Sequence, residues 1–192
     1  MSRRLYIAYG SNLSVEQMQV RCPDAKVVGR AILKDWKLCF KVHADIEPCV
    51  GCEVPVLIWE IGEKDEGALD RYEGYPAYYI KKDVDVSMTD LDGDNPREAM
   101  AMVYVMTKGH GLRLPWRGYY EVLEEGYERF GFDKGILEQA LREAEEAGRN
   151  KNQLIEPNTS LDKDNDEIDE EAMTLLDDPV ALIKLLKKRR GI

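Results

Sequence analysis

The sequence predicts an α+β fold, a curved or closed sheet with helices packed against it. Three observations carry that expectation. Short apolar or alternating segments dominate the first two-thirds of the chain, the signature of half-buried and buried strands. From Trp116 onward the apolar residues recur at helical spacing instead. No internal repeat is visible.

The elements follow in chain order. Residues 5–9 read as a short buried strand. Ser14-x-x-Gln17 then fits a capping box, in which each side chain satisfies an orphan backbone donor. Val15, Met18 and Cys22 share one helical face, and Pro23 marks the stop. Residues 36–43 alternate, with Trp36, Leu38, Phe40 and Val42 inward and Lys37, Cys39, Lys41 and His43 outward. "VPVLIWEI" (54–61) is a more fully buried strand. Residues 65–74 suit a short helix closed by Gly74. Residues 79–88 alternate again, with Ile80, Val84 and Val86 inward. "TDLDGDNP" is a turn cluster, and 98–106 is another strand. Residues 116–130 and 133–148 read as helices, the second capped by Asp133 and stopped at Gly148.

A chain of 192 residues is long enough for one domain with its own core. Residues 1–149 form that domain. Residues 150–192 form an appended acidic run and C-terminal helix, the helix opened by Asp178 and Pro179 and closed by cations. That helix is expected to dock on the domain or on a second copy, giving a homodimer through the C-terminal segment. The net charge of −10 argues against nucleic acid as a partner. The first residues are too briefly apolar for a signal peptide, so the expected residence is cytoplasmic, with no membrane contact. Four cysteines in a chain this long do not read as a secreted disulfide framework.

Two stretches could carry chemistry. In "YGSNL", Tyr9, Gly10, Ser11, Asn12 and Leu13 link a strand end to a helix start through small residues. Such a loop exposes backbone N–H groups that can bind a carboxylate or a developing oxyanion. It can equally be only a turn. In "LDRYEGYPAYY", Glu73 is crowded in sequence by Tyr75, Tyr78 and Tyr79. A carboxylate among aromatic rings is desolvated, which raises its pKa toward neutrality and improves it as a base. The plainer reading is a surface glutamate at a helix end.

Taken together, "YGSNL" and "LDRYEGYP" after the "VPVLIWEI" strand resemble the γ-glutamylcyclotransferase-like family, which includes AIG2-like proteins and γ-glutamylamine cyclotransferases. "LKDWKLCF", "VYVM" and "LPWRGYYEVLEEGYERFG" continue the likeness, which covers residues 5–148. The resemblance implies a small mixed β-barrel flanked by helices, with a pocket at one end. It implies that a γ-glutamyl small molecule cyclises to 5-oxoproline and releases an amine or amino acid. Glu73 matches the family's acid/base. Gly10, Ser11, Asn12 and Leu13 match the segment whose backbone binds substrate, and Tyr9 matches its aromatic start. Tyr79 matches a pocket tyrosine, with Tyr78 adjacent, and Tyr119 matches a second, with Tyr120 competing.

The chemistry suits so few groups. The nucleophile is the substrate's own α-amine and the target its own γ-carbonyl, so the reaction needs folding of the substrate, a proton acceptor and oxyanion donors. No cofactor is expected. A catalytically silent binding or regulatory module on the same fold is the competing reading, and removal of a γ-glutamyl protecting group from a biosynthetic intermediate is a third. Cys39, His43, Cys49 and Cys52 could bind zinc, but only Cys49-x-x-Cys52 has knuckle-like spacing, and no metal is expected. "DLDGDN" reads as an acidic turn rather than a calcium loop. His110 falls in a loop expected beside the pocket mouth, and the methionines of "AMAMVYVM" are expected to pack between barrel and helices.

Overall fold

The computed structural model describes residues 3–154. The expected acidic run and C-terminal helix, and any dimer contact through them, lie outside the described residues. Five strands form a closed barrel: β1 (Arg3–Ala8), β2 (Lys26–Lys41), β3 (His43–Gly62), β4 (Tyr79–Thr89) and β5 (Arg97–Met106), in spatial order β1-β3-β2-β4-β5. Every pairing is antiparallel except β1 with β5, which run parallel at Tyr6–Met102 and Ile7–Val103. The α+β class and the mixed barrel are therefore as expected. Closure removes the open edges that would otherwise invite pairing with another chain.

β2 and β3 make one long hairpin, far longer than the alternation predicts. β2 begins at Lys26 rather than 36, and β3 begins at His43 rather than 54. The hairpin is interrupted near its middle, where Asp35 takes a positive φ of 62° and β3 bulges opposite it. The second seam of the barrel is narrow: β2 meets β4 only at Arg30–Thr89 and Ala31–Met88. Gly29 makes that approach feasible. A Cβ at this position would lie 2.0 Å from the Thr89 carbonyl oxygen.

Helices α1 (Val15–Arg21), α2 (Glu63–Tyr72), α3 (Arg117–Phe130) and α4 (Lys134–Leu154) flank the barrel. Ile7, Phe40, Ile46, Leu57, Ile58, Met88 and Met102 are buried in the core, some inside the barrel and others between it and the helices. Leu137, Ala140 and Ala144 of α4 are buried too. α4 packs along β2, where Lys37 reaches Glu143 at 3.1 Å. The supposedly open face of β2 is thereby covered, and Cys39 is buried.

Four local expectations need correction. Ile80 is exposed while Tyr79 points inward, because β4 changes the phase of its burial along its length. Met100 is likewise exposed. Gly148 does not stop α4, which runs through the 149/150 boundary to Leu154. Only half of the capping box forms: Ser14 accepts from the Gln17 N–H, while the Gln17 carboxamide accepts from Arg21.

Candidate active site

The loop after β1 is built by local rules. A single 3₁₀ turn spans Ser11–Leu13, closed by Leu13 N–H to the Gly10 carbonyl at 2.9 Å. Ser14 then caps α1. The first N–H groups of such a turn have no acceptor within it. Leu13 does not face the cavity. It is fully buried, and α3 lies so close that a Cβ on Gly126 would come 2.7 Å from the Leu13 Cβ. Leu13 anchors the loop to the core and leaves Gly10, Ser11 and Asn12 to line the opening. At Gly10 an added Cβ would lie 3.2 Å from the Tyr119 hydroxyl, which would have to give by a few tenths of an ångström, and in ordinary contact with the Ala44 Cβ at 3.5 Å.

Glu73 is placed by a helix ending. Its N–H bonds back to Leu69, Gly74 adopts a left-handed φ of 64°, and the Tyr75 N–H reaches the Asp70 carbonyl at 2.9 Å. This Schellman closure ends α2 at Tyr72 and leaves Glu73 as its C-cap. A helix C-terminus presents carbonyls rather than N–H donors, so it offers the carboxylate no stabilisation.

The loop and Glu73 meet. Asn12 Nδ2 donates to Glu73 Oε1 at 2.9 Å and to the Tyr6 hydroxyl at 2.7 Å. Asn12 is itself fixed from both sides. Its Oδ1 accepts from Arg21 at 2.8 Å, and its backbone carbonyl accepts from Trp59 Nε1 at 3.1 Å. Arg21 is held in turn by the Tyr72 hydroxyl and lies 3.7 Å over that ring. The Tyr72 hydroxyl also lies 3.0 Å from Ser11 Oγ, tying the two segments together.

Around this pair lies a small opening, also lined by Tyr6, Tyr9, Tyr79, Tyr104, Tyr119 and Ala44. The tyrosines are oriented by backbone partners. Tyr9 donates to the Tyr104 carbonyl at 2.7 Å, Tyr79 donates to the Ala44 carbonyl at 2.8 Å, and Tyr119 accepts from the Ala44 N–H at 3.0 Å. Burial raises the pKa of Tyr6, Tyr9, Tyr79 and Tyr119, so the wall is neutral near pH 7. Burial also raises Glu73, to about 7, against the opposing pull of Arg21 and the Asn12 hydrogen bond. The site thus combines one carboxylate poised near neutrality with a turn start and hydroxyl-bearing walls.

Tyr9, Gly10, Ser11, Asn12, Glu73, Tyr79 and Tyr119 therefore converge on one cavity, and Leu13 lies beneath it. Tyr120 turns instead toward Phe40. Tyr78 stands one layer out, packed edge-on against Tyr79, His43 and His110. Tyr6, Ala44 and Tyr104 also line the cavity without having been singled out in the sequence, and Arg21 and Tyr72 form the layer behind it. Tyr72 adjoins Glu73 in sequence and could have been found. Arg21 carries no local signal. The four supposed zinc ligands are not brought together: Cys49 and Cys52 are joined in a disulfide. Cys39 groups instead with Asp45 and Glu47, where the Lys41 ammonium lies 2.7 Å from Asp45 and 2.8 Å from Glu47.

Comparison with known proteins follows the same lines. The family model described as gamma-glutamyl cyclotransferase, AIG2-like, matches residues 6–128. A Mus musculus protein named gamma-glutamylcyclotransferase is 29% identical over 179 residues, covering 86% of each chain. A Bos taurus protein of the same name is 34% identical over 96 residues, or 43% of this chain and 51% of that one. A solved structure of a gamma-glutamyl cyclotransferase matches with TM-score 0.61 at 26% identity, over 88% of this chain and 97% of the other. The structure of an uncharacterized protein from Homo sapiens gives TM-score 0.61 at 27% identity, over 88% and 98%. No helix among the described residues is long and apolar enough to cross a membrane.

Proposed function

The chain belongs to the AIG2-like gamma-glutamyl cyclotransferase family of enzymes, and on that basis we propose that it converts a γ-glutamyl amine or amino acid to 5-oxoproline and a free amine, with Glu73 as general acid and base. The observation that carries this reading is a partly buried carboxylate, its pKa pushed up to about 7 by desolvation, held by Asn12 of the turn that also lines the cavity.

The substrate brings its own nucleophile. Folded in the cavity, its α-amine faces its γ-carbonyl, and closing the five-membered ring is intramolecular. Only the neutral amine attacks, so Glu73 as carboxylate takes a proton from the α-ammonium. The C–N bond of the ring forms and negative charge develops on the γ-carbonyl oxygen. The backbone N–H groups at the start of the Ser11–Leu13 turn are the proposed donors for that charge, the Ser11 N–H being one that also bonds the Tyr119 hydroxyl. The protonated Glu73 returns its proton to the leaving nitrogen as the original amide bond breaks. A carboxylate that sits near neutrality suits both halves of this cycle, since it gains and loses the proton at similar cost. The Asn12 carboxamide keeps the acceptor oxygen in place without adding a charge, and the neutral tyrosine walls limit water around the reacting groups.

The test is incubation of the full-length protein with a panel of γ-glutamyl amines and amino acids, measuring released amine and 5-oxoproline together. Equimolar formation of the two by the wild type and its loss in Glu73→Gln, with substrate-analogue binding kept, is the expected result. Full turnover by Glu73→Gln would overturn the assignment of the base. Tight binding with no product from any compound would replace the enzyme reading with a binding module.

A further inference from the structure

The Cys49-x-x-Cys52 pair plays no part in the chemistry above, and its setting differs from that of the other two cysteines. Trp36 pairs with Pro48 and Lys34 with Glu53, so residues 49–52 form an excursion of β3 opposite the single residue Asp35. Val50 at its tip is 95% exposed. Cys22 and Cys39, in contrast, are buried, and burial pushes each thiol up to about 12. The fold therefore divides its cysteines into an inert interior pair and one pair set in a projecting turn.

The turn has a brace that does not depend on sulfur. Asp35 and Gly51 both take positive φ, 62° and 81°, and the Gly51 N–H donates to the Asp35 carboxylate at 2.8 Å. Strand pairing resumes on both sides of the excursion. The two Cα atoms lie 5.4 Å apart, inside the span a disulfide bridges. A brace of this kind keeps two thiols adjacent after reduction, so their reclosure is intramolecular at high effective concentration.

We propose that Cys49 and Cys52 form a reversible dithiol–disulfide couple that exchanges with low-molecular-weight thiols while the barrel stays folded, with the Asp35–Gly51 brace favouring its closed form. An external thiolate attacks one sulfur, the Cys49–Cys52 bond breaks, and the departing cysteine thiolate takes up a proton. A second external thiolate attacks the mixed disulfide and releases the other cysteine. Two external thiols are oxidised to one external disulfide, and the protein gains two electrons and two protons. The reverse sequence closes the pair.

The experiment equilibrates the full-length folded protein in buffers of graded reduced-to-oxidised glutathione, quenches with acid, and labels at neutral pH with a maleimide before intact-mass analysis. The expected result is a shift from no label to two labels as one transition, both mapping to Cys49 and Cys52, with Cys22 and Cys39 labelled only after denaturant is added. Cys49→Ser is expected to hold one glutathione adduct in oxidising buffer instead of closing. Asp35→Gly, which keeps the positive φ but removes the acceptor, is expected to lower the closure constant roughly threefold to tenfold, the worth of one hydrogen bond. Asp35→Asn, which keeps an acceptor oxygen, is expected to change it less. No labelling of the folded protein at any ratio, single labels, or disulfide-linked dimers in place of the paired transition would overturn the proposal. An Asp35→Gly closure constant equal to the wild type's would overturn the role of the brace.

Discussion

Asp45, buried on β3, and Glu73, partly buried at the end of α2, are two carboxylates that the fold treats in different ways. Asp45 is 1% exposed and receives the Lys41 ammonium at 2.7 Å and the Met106 N–H at 2.9 Å. Burial alone would lower the Lys41 pKa, yet its hydrogen bonds to Asp45 and Glu47 outweigh this and raise it. Glu73 receives one neutral amide hydrogen from Asn12, while Arg21 is directed to Asn12, Gln17 and Tyr72. The difference lies in what each setting supplies. Asp45 is given a full countercharge and a backbone N–H, which fix it as a structural partner. Glu73, partly buried, is given only enough polarity to be positioned, which suits the proposed role of gaining and losing a proton.

The contrast can be broken in four ways, taken from the largest effect to the smallest. Glu73→Gln should lower kcat/KM by about a thousandfold or more, on the order of 4 kcal/mol of barrier, while far-ultraviolet circular dichroism stays unchanged. A loss of less than tenfold in steady-state assays would place the proton acceptor elsewhere. Asp45→Ala should act on stability instead. It strips Lys41 of its buried partner and leaves the Met106 N–H unpaired, at a cost of about 3 kcal/mol in urea unfolding. Little change in the midpoint would mean that Glu47 alone satisfies the ammonium.

The third effect concerns the pH dependence of stability that Glu73 brings. The folded state holds a proton on Glu73 that the unfolded chain releases, since its pKa rises from 4.5 to about 7. The associated stability is present below pH 4.5 and is lost as pH climbs through about 7. Glu73→Gln removes that loss, so the variant should be more stable than the wild type by about 1–3 kcal/mol at pH 8 and by much less at pH 4.5. Parallel stability profiles for the two proteins would contradict the desolvation. The smallest effect belongs to Arg21→Met. Without the guanidinium the Glu73 pKa climbs further, moving the rising limb of kcat/KM against pH upward and lowering kcat/KM a few-fold at pH 7. A limb that stays in place would show that Arg21 acts only through the position of Asn12.

Legibility followed the range of the interactions. The barrel strands at 54–61 and 98–106 announced themselves because their side chains obey a local rhythm. The first halves of β2 and β3 did not, because the bulge between Val27 and Gly29 and the excursion opposite Asp35 shift the phase of burial. Ile80 and Met100 misled for a related reason: an apolar residue on a barrel strand can remain outside where no helix covers it. At the site, Gly10, Ser11, Asn12 and Glu73 could be marked because each sits at a chain feature, a turn or a helix end. Tyr6, Ala44 and Tyr104 could not, since nothing near Tyr104 in sequence states that Tyr9 bonds to its carbonyl from 95 positions away.

The parallel seam between the first and last strands has a consequence for biosynthesis. Lining residues come from Tyr6 through Tyr119, and the barrel cannot shut until β5 reaches β1. A nascent chain that has emerged only through Glu73 holds the turn and the acid but has no enclosure in which to raise its pKa. The enclosure around Glu73 is therefore completed late in translation, together with the final closure of the wall, rather than accumulating as the polypeptide lengthens.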